Sequence, residues 1–173
     1  DSNMKESEQR QIFQEWLDGY RALLFKVIRA YAYSDEDQND LFQEVCLQVF
    51  RSIPNFQAKS AVSTWLYRIA LNMAIKWSTR ERKHSRDHEN IAEMGKVLEA
   101  SNEDQDERLL WLYEEIQKFN EIDRSLTLLL LDGYSYKEMS QIMGISESNI
   151  GVKIHRIKKQ LVQNIQKMQS HGV

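Results

Sequence analysis

The sequence predicts an all-α protein of two small helical domains joined by an acidic linker, and three observations carry that prediction. Leu, Gln, Glu, Lys, Arg and Ala, all good helix formers, dominate throughout, while one proline and six glycines in 173 residues leave few places to break a helix. Apolar residues recur at three-and-four spacing, and no alternating run bounded by turn residues reads as a strand. Charge is segregated along the chain, with an acidic, aromatic-free stretch between two basic ones. The length suits one ordinary domain or two small ones.

The first helix is expected over 6–33, with Ile12, Phe13, Trp16, Leu17, Tyr20, Leu23, Leu24, Val27 and Ile28 on one face. Ser34-Asp35-Glu36-Asp37 supplies start signals for a second, over 38–52. Its apolar face is Leu41, Phe42, Val45, Cys46, Val49 and Phe50, and Pro54 ends it. Residues 54–60 read as a loop. A long helix follows over 61–84, with Trp65, Leu66, Ile69, Ala70, Met73, Ala74 and Trp77 inward. Residues 85–107 are the boundary candidate, a linker with one short helix at most, carrying only Ile91, Met94, Val97 and Leu98 as an apolar patch. Helical periodicity resumes over 109–118 and 121–131, then 136–143, a turn at Gly144, and a last helix over 146–169.

Several function classes are disfavoured at once. No apolar run approaches the roughly 20 residues that span a bilayer, so no membrane insertion is expected. The opening residues lack the apolar core of a secretory signal. With one cysteine no internal disulfide can form, so a reducing, cytoplasmic setting is expected, and Cys46 reads as a buried, inert thiol. No nucleophile–base pair or phosphate loop is visible, and His84 and His88 offer two metal ligands where a site needs more. The reading is therefore not an enzyme, with no cofactor.

A net charge of −3 disfavours nucleic acid only if charge is spread evenly. Lys76, Arg80, Arg82, Lys83 and Arg86 face a single acid, Glu81; residues 87–107 then carry eight acids against Lys96. After Glu147 there is no acid, while Lys153, Arg156, Lys158, Lys159 and Lys167 follow.

The run from Ser135 to Ser146, followed by a basic helix, fits a helix-turn-helix. Ser140 is small where two helices must approach, Gly144 can take the left-handed conformation that ends a helix, Ile145 plugs the turn and Ser146 can cap the next helix. At about 100° per residue, Ile150, Ile154, Ile157 and Leu161 form the core stripe. Ser148, Val152, His155, Arg156 and Lys159 collect opposite, with Asn149 and Lys153 on the flanks. Such a face suits a major groove, its first residues meeting base edges and its cations neutralising phosphates.

In the helix 61–84, Arg68, Asn72, Lys76, Thr79, Arg80 and Lys83 line one side, with Trp65, Tyr67 and Trp77 in the same segment and Phe56 and Lys59 in the loop before it. Cations, an amide and rings are the materials for holding a single strand. They are equally the materials of a solvated face over an aromatic core. Asp40, Gln43, Glu44 and Gln48 make a polar stripe on the second helix, which suits either solvent or a docking partner.

These parts, in this order, resemble the extracytoplasmic-function group of sigma-70 family factors. Asp40-Leu41-Phe42-Gln43-Glu44-Val45 and Thr64-Trp65-Leu66-Tyr67-Arg68-Ile69-Ala70-Leu71-Asn72 resemble region 2; Asp123-Arg124-Ser125-Leu126, Leu131-Asp132-Gly133-Tyr134-Ser135-Tyr136-Lys137-Glu138, Gly144-Ile145-Ser146-Glu147-Ser148-Asn149-Ile150 and the run from Lys153 to Leu161 resemble region 4. The resemblance implies region 2 over 1–85, an acidic linker over 86–108 and region 4 over 109–173. It implies that Asp40, Gln43 and Glu44 dock on the clamp coiled coil of the largest subunit of core RNA polymerase. It also implies that Phe56, Lys59, Ser60, Asn72, Lys76 and Arg80 hold the unpaired minus-ten strand. Region 4 would bind the minus-thirty-five duplex through Ser148, Asn149, Val152, Lys153, His155, Arg156 and Lys159 while packing on the flap of the other large subunit. The acidic linker would lie in the RNA exit channel, and an anti-sigma factor is an implied partner. Three departures stand out: Phe119-Asn120-Glu121-Ile122 replaces the Leu-Pro pair that often precedes Asp-Arg, Ser140 stands where many members have alanine, and Asn149-Ile150-Gly151-Val152 replaces a more usual Thr-Val. The competing expectation is a stand-alone helix-turn-helix regulator, which needs a sensor or dimerisation domain in residues 1–84.

Overall fold

The structure, a computed structural model, describes residues 3–85 and 107–171. Residues 86–106 of the linker expected over 86–108, its short helix and His88 lie outside the described residues, as do the side chains of Lys83 and His84, while the last two linker residues, Glu107 and Arg108, are helical. All regular structure among the described residues is helical, and no helix there is long and apolar enough to cross a membrane. The chain divides into two compact units, Asp1–Leu110 and Trp111–Val173.

The first unit is built on α1 (Glu6–Tyr31), α2 (Asp35–Ser52), a 3-10 turn (Ile53–Asn55) and α3 (Val62–Ser85). α2 starts three residues earlier than expected, because the Ser34 hydroxyl accepts from the Asp37 amide at 3.0 Å and the acids form the first turn instead of preceding it. Carboxylates are favourable there, where the helix leaves N–H groups unpaired. α1 and α2 run antiparallel. The Gln9 amide donates to the Phe50 carbonyl at 2.7 Å and Phe13 meets Phe50 edge-on, while Phe25 stacks on Phe42 further along α1. α1 leaves helical geometry at Tyr20, directly after Gly19.

α3 packs against both α1 and α2, so its buried face is wider than one stripe. Leu66, Ala70, Ala74 and Trp77 are buried as expected, but Tyr67 and Leu71 are fully buried too, whereas Trp65, Ile69 and Met73 are half-buried. Tyr67 is therefore a core residue and offers no ring to a base. Cys46 is half-buried, and burial pushes its thiol up from the ordinary value, with Arg21 pulling the other way.

The second unit comprises α4 (Glu107–Gln117) from Trp111 onward, α5 (Glu121–Leu131), α6 (Tyr136–Met143) and α7 (Glu147–His171). α5 carries six consecutive buried residues, Arg124 to Leu129, and shares the core with Tyr113, Ile116, Met139, Ile142, Ile150, Ile154 and Ile157, α7 packing on both α5 and α6. α5 ends at Gly133 (φ 83°): the Gly133 amide donates to Leu130 and the Tyr134 amide to Leu129, which satisfies two carbonyls the helix end would strand. Asn120 takes over the start of α5 in place of the usual proline, its side-chain oxygen accepting from the Asp123 amide at 2.9 Å. The buried Arg124 guanidinium donates to the carbonyls of Gln117 and Phe119 at 3.1 and 3.0 Å. The Asp123-Arg124 pair is thus a structural device that joins α4 to α5.

Candidate nucleic-acid and polymerase interfaces

The helix-turn-helix of the second unit forms for local reasons. Ser135 caps α6 by accepting from the Glu138 amide at 3.1 Å, and the Glu138 carboxylate accepts from the Ser135 amide at the same distance. Hydrogen bonding to the carboxylate from Ser135, its backbone amide first and its hydroxyl second, holds the Glu138 carboxyl below its ordinary value. Gly144 takes the left-handed conformation (φ 69°), and its amide donates to the Ser140 carbonyl at 2.9 Å. Ser146 then accepts from the Asn149 amide at 3.3 Å and opens α7.

With Ile150, Ile154 and Ile157 buried, the opposite side of α7 is turned outward. Ser148, Asn149, Val152, His155, Arg156 and Lys159 are exposed and Lys153 is half-buried. Among the described residues no carboxylate pairs with Lys153, Arg156 or Lys159. Leu161, expected in the core, is only half-buried. A buried carboxylate, Glu115, steadies that end of the helix by accepting from Asn164 at 2.6 Å and pairing with Lys118 at 2.8 Å.

In the first unit the structure gathers the remaining candidates on two neighbouring surfaces. Phe56 is half-buried, its ring 5.2 Å from Trp16 and 5.4 Å from Trp65, so the loop is pinned from beneath by an aromatic cluster. Trp65 is itself held by donating to the Ser52 hydroxyl at 3.1 Å. Above this anchor Ala58 adopts φ 53°, a left-handed conformation unusual for a residue with a side chain, and Lys59 and Ser60 are exposed. Along α3, Arg68, Asn72, Lys76 and Arg80 are exposed at four-residue steps on one side.

Asp40 and Gln43 on α2 are exposed and Glu44 is half-buried. They line a groove with Leu47, Trp77, Arg80 and Glu81. Leu47 is 50% exposed and belongs to the same stripe, a residue the polar pattern alone missed. Its signal was present as an apolar residue seven positions after Asp40, outside the buried set. Gln48, read into the stripe from sequence, is exposed but does not line the groove. Glu44 and Arg80 make an ion pair at 2.7 Å, so a residue implied in polymerase docking and one implied in strand binding meet each other.

Comparison with known proteins identifies the family. The family model for Sigma-70 region 2 matches residues 16–84, and that for Sigma-70, region 4 matches residues 109–161. The ECF RNA polymerase sigma-E factor of Escherichia coli strain K12 is 30% identical over 146 residues, 75% of this chain and 74% of that protein. Its Haemophilus influenzae counterpart is 28% identical over 145 residues, 77% of each chain. Among solved structures, the sigma factor RpoE of Bartonella quintana, in complex with the anti-sigma factor NepR, has a TM-score of 0.68 at 16% identity and covers 90% of this chain and 98% of that one. CnrH, in complex with the cytosolic domain of CnrY, has a TM-score of 0.65 at 16% identity and covers 91% of this chain and 90% of that one. The N-terminal half that a stand-alone regulator would use for sensing matches sigma region 2 instead. The chain therefore belongs to the extracytoplasmic-function group of the sigma-70 family, alternative sigma factors that direct RNA polymerase to promoters.

Proposed function

We propose a division of labour between the two units, carried above all by the acid-free face of α7. Its exposed cations and its polar N-terminal residues Ser148 and Asn149 suit a helix in the major groove, with Val152, Lys153, His155, Arg156 and Lys159 completing the contact to the minus-thirty-five duplex. The first unit docks on the clamp coiled coil of core RNA polymerase through Asp40, Gln43 and Glu44, with Leu47 adding the apolar contact that a charged stripe lacks. Asn72, Lys76 and Arg80 take the unpaired minus-ten strand, Lys59 and Ser60 reach it from the loop, and Phe56 anchors that loop.

On this reading residues 1–85 act as region 2 and 109–173 as region 4, the latter also packing on the flap, with the acidic stretch between them following the RNA exit channel. The protein works in the cytoplasm, where its polymerase is. An anti-sigma factor is a fitting partner, since the Bartonella quintana sigma factor named above was solved with one. No catalytic residue or cofactor enters the scheme.

The primary test is co-elution of the purified protein with core RNA polymerase, with duplex promoter DNA tested separately. Stable co-elution and weak DNA binding without core are expected, because net negative charge opposes free binding at physiological salt. Tight dimeric binding to duplex DNA, with no affinity for core, would overturn the scheme. Arg156→Ala should weaken the upstream duplex contact of the holoenzyme; unchanged affinity would remove Arg156 from the site.

A further inference from the structure

Val152 is an apolar residue at the centre of a polar face. At about 100° per residue it lies about 160° around α7 from both Ile150 and Ile154, which are fully buried. It is the most exposed large hydrophobic side chain among the described residues, at 60%. Its neighbour Gly151, about 100° around the helix, faces α6, since a Cβ there would meet the Tyr136 ring at 3.7 Å. Ser148, Asn149, His155, Arg156 and Lys159, all exposed, fall within about 60° of Val152 around the helix axis. Polar and cationic groups thus ring a single branched hydrocarbon at the point furthest from the core.

We propose that Val152 is a specificity-determining residue that reads the 5-methyl group of a thymine in the upstream duplex element. The inference rests on the groove-binding reading of α7 and deepens it. A helix seated in the major groove brings its outermost side chain closest to the base edges. Those edges are mostly donors and acceptors, and the thymine methyl is the one alkyl group that the four standard bases project there. Valine can make no hydrogen bond, so over a cytosine or adenine amino group it would displace water without replacing it, a net cost. Over a thymine methyl it removes two apolar surfaces from water together. Attraction to one base and a penalty against others come from the same side chain, while the surrounding cations supply sequence-independent affinity.

The test uses the holoenzyme assembled with core RNA polymerase and upstream-element duplexes that it selects from a randomised pool. Each thymine of the selected duplex is replaced in turn by deoxyuridine, which deletes only the methyl group. One position is expected to weaken wild-type binding about fourfold, the worth of one methyl taken from water. The Val152→Ser holoenzyme should bind the thymine duplex with a similar loss and be indifferent to deoxyuridine at that position. An unchanged melting curve for Val152→Ser would confirm that the exposed substitution leaves the fold intact. Wild-type indifference to every deoxyuridine, or a penalty that persists in Val152→Ser, would overturn the proposal while leaving groove binding in place. A holoenzyme that selects no upstream duplex at all would overturn the groove reading, and this inference with it.

Discussion

On α3 of the first unit Arg80 is already bound to Glu44 at 2.7 Å, beside a groove that also holds Asp40 and Glu81. On α7 of the second unit Lys153, Arg156 and Lys159 stand on a helix with no acid after Glu147. Both surfaces carry cations, yet their physics differs. A mixed-sign groove is partly self-neutralised, which weakens its field at long range and suits close docking with a complementary protein. An acid-free face releases counterions from a duplex in proportion to the phosphates it meets, and gains affinity from charge alone. The groove is lined by one cation, Arg80, and that one is paired with Glu44, whereas the three on α7 have no carboxylate partner among the described residues.

The largest expected effect comes from neutralising the acid-free face. Replacing Lys153, Arg156 and Lys159 together by Gln should lower holoenzyme affinity for the upstream duplex by roughly a hundredfold at low salt. The log–log salt slope should become shallower by about 0.9 for each phosphate that no longer meets a cation. Titrations at several salt concentrations check both, and an unchanged slope would erase the contrast between the units.

Next in size is Asn72→Ala. An amide on the exposed side of α3 can read a flipped base edge but contributes nothing to docking through α2. Transcription from a dependent promoter and capture of a forked template should drop about tenfold, the loss of a hydrogen bond worth about 1.4 kcal/mol, with core binding unaltered. Equal loss of core binding would mean that the two functions of the first unit are not separable.

The capping box of α6 gives a smaller effect on stability. Ser135→Ala should cost about 1 kcal/mol, measured by denaturant unfolding of the full chain. The sign with pH follows from Glu138, whose folded carboxyl lies below its ordinary value. Its contribution is present above that ordinary value and is lost as pH falls through the lower, folded one. Ser135→Ala keeps the backbone amide, the larger cause, and removes only the hydroxyl, so it should flatten the loss of stability on acidification in part.

Smallest is the Glu44–Arg80 pair, with side chains 37% and 56% exposed. A double-mutant cycle on the free protein should give a coupling of about 0.2–1 kcal/mol. A coupling well above that range would make the pair a structural tie and not two surface groups shared between partners.

Much of this fold is legible in the residue pattern. The bounds of α5 and α6 follow from caps and periodicity, and Ser34, Gly133, Gly144 and Ser146 mark chain reversals because their chemistry permits few alternatives. The outward face of α7 is legible for the same reason: a helix packed on one side by isoleucines at three-and-four spacing must turn the rest to solvent. The α3 stripe was less legible. A helix touched from two sides buries an arc wider than one stripe, and Tyr67 and Leu71 belong to that arc.

What the sequence by itself determined is the set of helices, the two-part organisation and the segregation of charge, since each depends on neighbours within a few residues. Tertiary structure alone decided that Phe56 is wedged between Trp16 and Trp65, that Leu47 stays exposed beside the acids of α2, and that Arg80 is paired with Glu44 across 36 residues. Those facts concern side chains distant in sequence, and no periodicity encodes which of them come within hydrogen-bonding or van der Waals reach once the helices have packed.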